Sequence, residues 1–480
     1  MVDRHLFVIL GGTGDLAARK LLPALYRLIT ENNIGDSATI LAAATSELTD
    51  DEYRKWARHS LSEAGVDGDS LDAWNDSKVF YQSITRDPGT HADLRTRIEE
   101  IEKDQDLPGN RTFYLALPPA AFGPTIVGLG KAGLNRGPGW TKLVIEKPIG
   151  TNLATARALN ETVHAHFDES QVYRIDHYLG KETVQNLLNF RFANPMFESL
   201  WNRDRVESVE ITVAEDLGIG TRAGYYDKTG ALRDMVQNHL TQLLALIAME
   251  PPNSFDAERV RNEKVKVVEA IAPIDRANVV FGQYLAGSVG GEDVPGYCQE
   301  EGVDAGSRTP TFVGIKAFVD TWRWEGVPFV LRTGKRLPKR LTQIALTFRR
   351  PALCFFHGEP DACEVHRNTL LITLQPNEGF SLAFNVKSPD QEDQLDAQAL
   401  HFSYGDAYRS LPDAYQTLIL DVMEGDQTLF VRADEVEASW KLYDPLLDYH
   451  PEPYPYAAGT WGPATLDQGI ALSGSAWMDR

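Results

Sequence analysis

The chain has 480 residues, 43% of them hydrophobic and 24% charged, enough apolar material for a large core and for two domains. Its formal charge of -21, from 47 basic against 68 acidic residues, argues against a nucleic-acid binder or a partner of anionic lipid, so an anionic ligand has to be captured by a local basic pocket working against the global field. Cys298, Cys354 and Cys363 form no CxxC pair and no even framework, no signal-peptide pattern precedes the first apolar run, and no apolar run reaches the roughly 18 residues of a membrane span; a soluble, cytoplasmic protein is expected.

Residues 6–10 (LFVIL) are a short apolar run ending in glycines, the pattern of a buried parallel strand. Gly11, Gly14 and Ala17 follow as G-x-x-G-x-x-A, a relative of the dinucleotide fingerprint in which small residues permit the tight turn and the close approach of pyrophosphate to backbone. Thr13 is placed to hydrogen-bond a phosphate. Ala17, Leu21, Leu22, Leu25, Leu28 and Ile29 recur at helical spacing, and Pro23 inside that run is expected to delete one hydrogen bond and kink the helix. Further strands are expected at residues 39–44, 79–84, 112–117 and 143–146. Interleaved with helical segments, they predict a Rossmann-like, doubly wound α/β domain over residues 1–175.

After about residue 180 the pattern changes. Val209, Ile211 and Val213 alternate with polar neighbours, as do Ile344, Leu346 and Phe348, and Leu382, Phe384 and Val386, the period of antiparallel strands with one wet face. Residues 176–480 are therefore expected to form a larger α+β domain with a mainly antiparallel sheet, and the Pro/Tyr/Gly-rich residues 451–464 an irregular tail. Arg332, Lys335, Arg336, Lys339 and Arg340 make a basic group, readable as a solvated patch or a binding surface.

Residues 174–182 (RIDHYLGKE) place two carboxylates, two cations, an imidazole and a phenol in nine positions. His177 and Lys181 can donate to phosphate oxygens, Tyr178 adds a hydroxyl, and Asp176 can orient a general base supplied from elsewhere. His239 is the candidate base: on a helical wheel it falls beside Leu232, Met235, Val236 and Leu243, on an inward face, and an imidazole is poised near neutrality to take a hydroxyl proton. Asp234 does not share that face unless the helix starts after it. Lys147, in Glu146-Lys147-Pro148 at a strand end, is expected to open onto a ligand crevice. His164 and His166 have ligand-like proximity but no third partner, so no metal site is expected.

RIDHYLGKE, together with GGTGDLAARKLLPALYRL, VIEKPIG, GYYDKTGALRDMVQNHLTQLL and WEGVPFVLRTGKRL in the same order, resembles the glucose-6-phosphate dehydrogenase family from residue 6 to about residue 340. The resemblance implies oxidation of D-glucose 6-phosphate at C1 to 6-phospho-D-glucono-1,5-lactone by hydride transfer to NADP or NAD, the first step of the oxidative pentose phosphate pathway. It implies that His239 is the base, Asp176 its support and Lys147 a positioner of substrate and coenzyme. It puts His177, Tyr178 and Lys181 on the phosphate, Glu215, Asp234 and Lys335 on the sugar, and Gly11, Thr13, Gly14, Asp15, Leu16 and Lys20 on the coenzyme. A homodimer or homotetramer, built on the exposed face of the large sheet, is implied as well. The chain departs from the family at residue 45: Thr45 stands where an arginine commonly pairs with the 2′-phosphate of NADP, and Glu47 adds a negative charge, so use of NAD is expected. Two alternatives stay open, a paralogue for another hexose 6-phosphate and a catalytically silent sugar-phosphate sensor.

Overall fold

Six apolar segments become a parallel sheet: β1 (His5–Leu10), β2 (Ala38–Ala44), β3 (Val79–Ser83), β4 (Arg111–Leu115), β5 (Thr141–Ile145) and β6 (Val172–Arg174). Their order is β3-β2-β1-β4-β5-β6, with every neighbouring pair parallel. This is the doubly wound order, in which the crevice opens where the strand order reverses, here between β1 and β4. The central strand β1 is apolar after His5, and Leu6, Val8, Leu10, Phe113, Leu115 and Leu143 are fully buried in one cluster.

The computed structural model describes residues 2–31, 34, 37–66, 78–85, 91–353, 365–389, 395–408, 412–449 and 451–465; Cys354 and Cys363 lie outside them. Two compact units result. The first comprises Met1–Lys181, Asn253–Arg261 and Pro412–Glu437, the second Glu182–Pro252, Asn262–Leu411 and Ala438–Arg480.

The second unit holds a nine-stranded sheet. Its strands are β7 (Val206–Ala214), β8 (Val279–Leu285), β11 (Phe312–Phe318), β12 (Pro328–Gly334), β13 (Leu341–Phe348), β14 (Thr369–Gln375), β15 (Gly379–Lys387), β16 (Leu395–Ser403) and β17 (Tyr454–Ala457), while β9 (Gly287–Val289) and β10 (Glu292–Val294) form a separate ribbon. The order is β16-β15-β14-β13-β7-β12-β11-β8-β17; β7–β12 and β8–β17 pair in parallel and the other neighbours are antiparallel.

Two expectations need correction here. The segment 451–464 is not wholly irregular, because β17 docks on the edge strand β8 in register Tyr454↔Gly282 to Ala457↔Leu285. Its prolines do not prevent this, since an edge strand tolerates a missing N–H donor. Nor do β7 and β13 have a wet face: Glu210, Thr212, Gln343 and Thr347, the polar alternates, are all buried. Burial alternates with period two in β14, and the residues become largely half-buried in β15 and half-buried or exposed in β16, toward the far edge.

Helix geometry also departs from the regular. A π-helical turn, Ala17–Leu21, precedes the helix Leu22–Glu31, and the Leu22 N–H bonds back to the Ala17 carbonyl. The expected kink at Pro23 is thus a widened turn ahead of the proline. A longer π-helix, Leu232–Leu240, follows the helix Ala223–Ala231 across Gly230, whose φ of 62° interrupts the helical path.

Candidate active site

At the crevice between β1 and β4, backbone shape prepares a phosphate site. Gly11 has φ +91°, and a Cβ there collides with the carbonyl of Ala116 at the end of β4. A Cβ on Gly12 comes within 2.6 Å of the Ala42 methyl of β2. Gly14 N–H donates to Gly11 O at 2.9 Å, and among the described residues a Cβ at Gly14 meets only that oxygen, at 3.1 Å, so that side of the turn is open. A turn closed behind and open in front, leading into a helix N-terminus, fits a dinucleotide pyrophosphate. Thr13 and Leu16 are half-buried on this turn, and exposed Asp15 pairs with Arg19 at 2.7 Å. Gly12, which the motif reading passed over, is held by the Tyr53 hydroxyl donating to its carbonyl at 2.9 Å.

The loop after β2 is short and exposed. Thr45, Ser46 and Glu47 all face solvent, while the Tyr81 hydroxyl donates to Ser46 O at 2.6 Å and Thr49 caps the helix Asp50–Glu63 in a reciprocal box with Glu52. Its backbone is therefore fixed at both ends.

Strand β5 delivers Glu146 and Lys147 beyond its carboxyl end, and Glu146 is buried. Tyr114 of β4 donates to Glu146 Oε1 at 2.6 Å, and the Tyr415 hydroxyl donates to the same carboxylate. Burial pushes the Glu146 carboxyl above its ordinary range despite those hydrogen bonds and the nearby Lys147 charge.

Residues 174–182 leave β6 and turn into the helix Glu182–Phe192. Arg174 is structural: 1% exposed, it makes a two-pronged pair with Glu169 at 2.6 and 3.1 Å. Asp176, also buried, accepts from Tyr178 N–H at 3.0 Å, which curls the chain. That curl gathers the three phosphate candidates, with the His177 and Tyr178 rings 5.0 Å apart and Lys181 Nζ 4.4 Å from the Tyr178 ring centroid. Lys20 approaches the same group from the π turn, pairing with Asp413 at 3.3 Å and standing 5.9 Å from the Tyr415 ring centroid. His164, exposed at the end of a helix, pairs with Glu169 at 2.8 Å.

In the second unit the ends of β7 and β12 bring Glu215 and Lys335 together. Lys335 Nζ donates to Glu215 Oε2 at 2.7 Å and lies 5.0 Å from the Tyr226 ring centroid. Burial raises the Tyr226 phenol well above its usual value, and Asp234 and Glu215 raise it further, which sets Asp234 in the same cluster. His239 is fully buried and Asp234 is 8% exposed. Both lie in the π-helix, whose i→i+5 bonding brings residues five apart onto nearly the same side; the 3.6-residue wheel separates them. Asp176 belongs to the first unit and His239 to the second. Of the basic group, Arg332 is buried against Thr212 and Trp461, Arg336 faces Glu300, and Lys339 and Arg340 are exposed. Tyr226, Glu146 and Tyr415 were missed as contributors; only Tyr226 and Glu146 sit inside motifs that drew notice.

Comparison with known proteins places the chain in a family. Residues 8–186 match the family model described as glucose-6-phosphate dehydrogenase, NAD binding domain, and residues 188–478 match its C-terminal domain. The chain is 44% identical over 482 residues to glucose-6-phosphate 1-dehydrogenase of Aggregatibacter actinomycetemcomitans, covering 98% of this chain and 96% of that one. It is 43% identical over 491 residues to the Mycolicibacterium smegmatis enzyme, covering 99% and 98%. A solved structure of glucose-6-phosphate dehydrogenase in complex with its substrate glucose-6-phosphate superposes with a TM-score of 0.91 at 36% identity, covering 99% of each chain. The Mycobacterium avium glucose-6-phosphate 1-dehydrogenase structure gives 0.86 at 33%, covering 100% and 99%. Sequence and fold agree: the chain belongs to the glucose-6-phosphate dehydrogenase family.

Proposed function

We propose that this chain oxidises D-glucose 6-phosphate at C1 to 6-phospho-D-glucono-1,5-lactone. The observation that carries the reading is the convergence of His177, Tyr178 and Lys181 on one curl of chain. Two nitrogen donors and a phenol on adjacent turns suit a phosphate dianion and are hard to explain as surface charge.

In this reading His239 takes the C1 hydroxyl proton as hydride leaves C1, and Asp176 holds the imidazole in its working tautomer and stabilises the imidazolium. Glu215, Asp234 and Lys335 take the sugar hydroxyls. Gly11, Thr13, Gly14, Asp15, Leu16, Lys20 and Thr45 hold the coenzyme, and Lys147 positions coenzyme and sugar against each other. A bound nicotinamide coenzyme supplies the hydride acceptor. Exposed Thr45 and Glu47 offer no cation to a 2′-phosphate, which supports NAD as a coenzyme of this chain, alone or beside NADP. Self-association as a homodimer or homotetramer is part of the proposal: Leu400 (64% exposed) and Phe402 (41%) of β16 present an apolar surface at the sheet edge, paired across to Leu382 and Phe380 of β15.

A panel of hexose 6-phosphates against NAD and NADP, followed by absorbance of the reduced nicotinamide, tests the reading. Highest catalytic efficiency with glucose 6-phosphate is expected. A higher efficiency with a C2 or C4 variant of the sugar overturns the substrate assignment, and no reduction with any of them overturns the reaction.

A further inference from the structure

A carboxylate taken out of water carries a large desolvation cost unless hydrogen bonds offset it, and Glu146 is 8% exposed. What offsets it comes from two distant parts of the chain. Tyr114 reaches across from the neighbouring strand β4, and Tyr415 comes from the first turn of the helix Ala414–Glu424. Neither tyrosine is needed to close the sheet, and both hydroxyls converge on one side chain that adjoins Lys147.

Tyr415 is itself held in place. Asp413 caps its helix by accepting the Tyr415 N–H at 2.9 Å, and pairs with Lys20 at 3.3 Å. The helix start is pressed against residue 180, where a Cβ collides with the Ala414 carbonyl; only glycine fits there. The ring lies parallel to the His177 imidazole, at an interplanar angle of 8° with centroids 6.4 Å apart. The carboxylate beside Lys147, one phenol and the imidazole assigned to phosphate thus follow one another.

We propose that Glu146 is a positioning residue for the phosphate pocket: its buried carboxylate anchors the Tyr415 hydroxyl, and through the Tyr415 ring it sets the plane of the His177 imidazole. The nature of the ligand rests on the reading given above; the mechanical link does not. Glutamine is the informative replacement, because its amide keeps the volume but turns an N–H₂ toward one of two O–H donors, so one phenol loses its acceptor.

The experiment uses the full chain with Glu146→Gln, Tyr415→Phe and the double variant. Expected for each single variant is a rise of about tenfold in KM for glucose 6-phosphate, with kcat within about threefold of the parent and KM for unphosphorylated glucose unmoved. The double variant should be no worse than the poorer single, since both act on one link. Parallel rises in KM for both sugars, or effects of the two changes that multiply, overturn the link. A readout independent of turnover accompanies the kinetics: NMR of ¹³C-histidine-labelled protein, with the His177 signal assigned through His177→Gln. Both single variants should displace that resonance. A His177 signal unmoved by Glu146→Gln refutes the proposal even if glucose 6-phosphate proves not to be the substrate.

Discussion

Replacing Thr45 by arginine is the sharpest perturbation of coenzyme choice, because the structure leaves every other part of that loop in place. Thr45 is exposed, and its loop is anchored by the Tyr81 hydroxyl on Ser46 O at 2.6 Å and by the Thr49–Glu52 capping box. The new guanidinium then adds one or two charge-assisted hydrogen bonds to a 2′-phosphate, worth about 1.5–3 kcal/mol, or roughly ten- to a hundredfold. Exposure puts the effect near the lower figure at about 0.15 M salt, rising as the ionic strength falls. The assay is the ratio of kcat/KM for NADP to that for NAD, in parent and Thr45→Arg, at two salt concentrations. The ratio should rise about tenfold at the higher salt and more at the lower. A parent strongly selective for NADP, or a ratio that stays within twofold in the variant, refutes the reasoning and moves the 2′-phosphate contact to another residue.

Other expectations address the chemistry and the scaffold. His239→Asn should lower kcat by about 10²–10⁴-fold while leaving glucose 6-phosphate binding nearly intact by calorimetry, and Asp176→Asn should lower it less; near-parent turnover in His239→Asn removes that residue from the mechanism. Lys181→Met should raise KM for glucose 6-phosphate about tenfold or more with little change for glucose, and an equal change for both sugars means the phosphate sits elsewhere. His5, fully buried at the start of β1 with Nδ1 2.9 Å from Asp3 O, has its pKa lowered from 6.5 to about 4, chiefly by desolvation. The unfolded chain therefore binds the extra proton first. The stability that His5 contributes is whole above pH 6.5 and is lost as pH falls from there toward about 4, up to about 3 kcal/mol. His5→Phe should flatten thermal midpoints over that range relative to the parent, and parallel curves count against it.

Much of the first unit is legible in the sequence, for a definable reason. Residues 6–10 and 40–44 are unbroken apolar runs because both are buried in the sheet, and the glycines between them mark where backbone must approach backbone. The curl at 174–182 is legible too, since its donors are neighbours in sequence. Asp234 was obscure because its relation to His239 depends on a helix type that composition does not announce. The buried polar residues of β7 and β13 were obscure because alternation records side-chain direction and not what covers each side. Tyr415 carries no local signal at all: its role exists only once a segment more than 230 positions after His177 has folded back.

That return has a consequence for synthesis. Glu169, Lys142 and Gly180 find partners among residues 412–437: the Ala433 N–H on Glu169 at 3.1 Å, the Val422 and Met423 carbonyls on Lys142 at 2.7 and 3.0 Å, and the Ala414 carbonyl against Gly180. The first unit runs to Lys181 and resumes for good at Pro412, with 230 residues between them. At about 5–20 residues per second, a ribosome takes roughly 12 to 46 s before it begins to supply those partners. During that interval the nascent sheet is complete in strands yet lacks the helix that caps one side. A chain stopped at Lys181 is an unfinished unit, lacking the helix whose Leu418, Ile419, Val422 and Met423 are buried in the finished one.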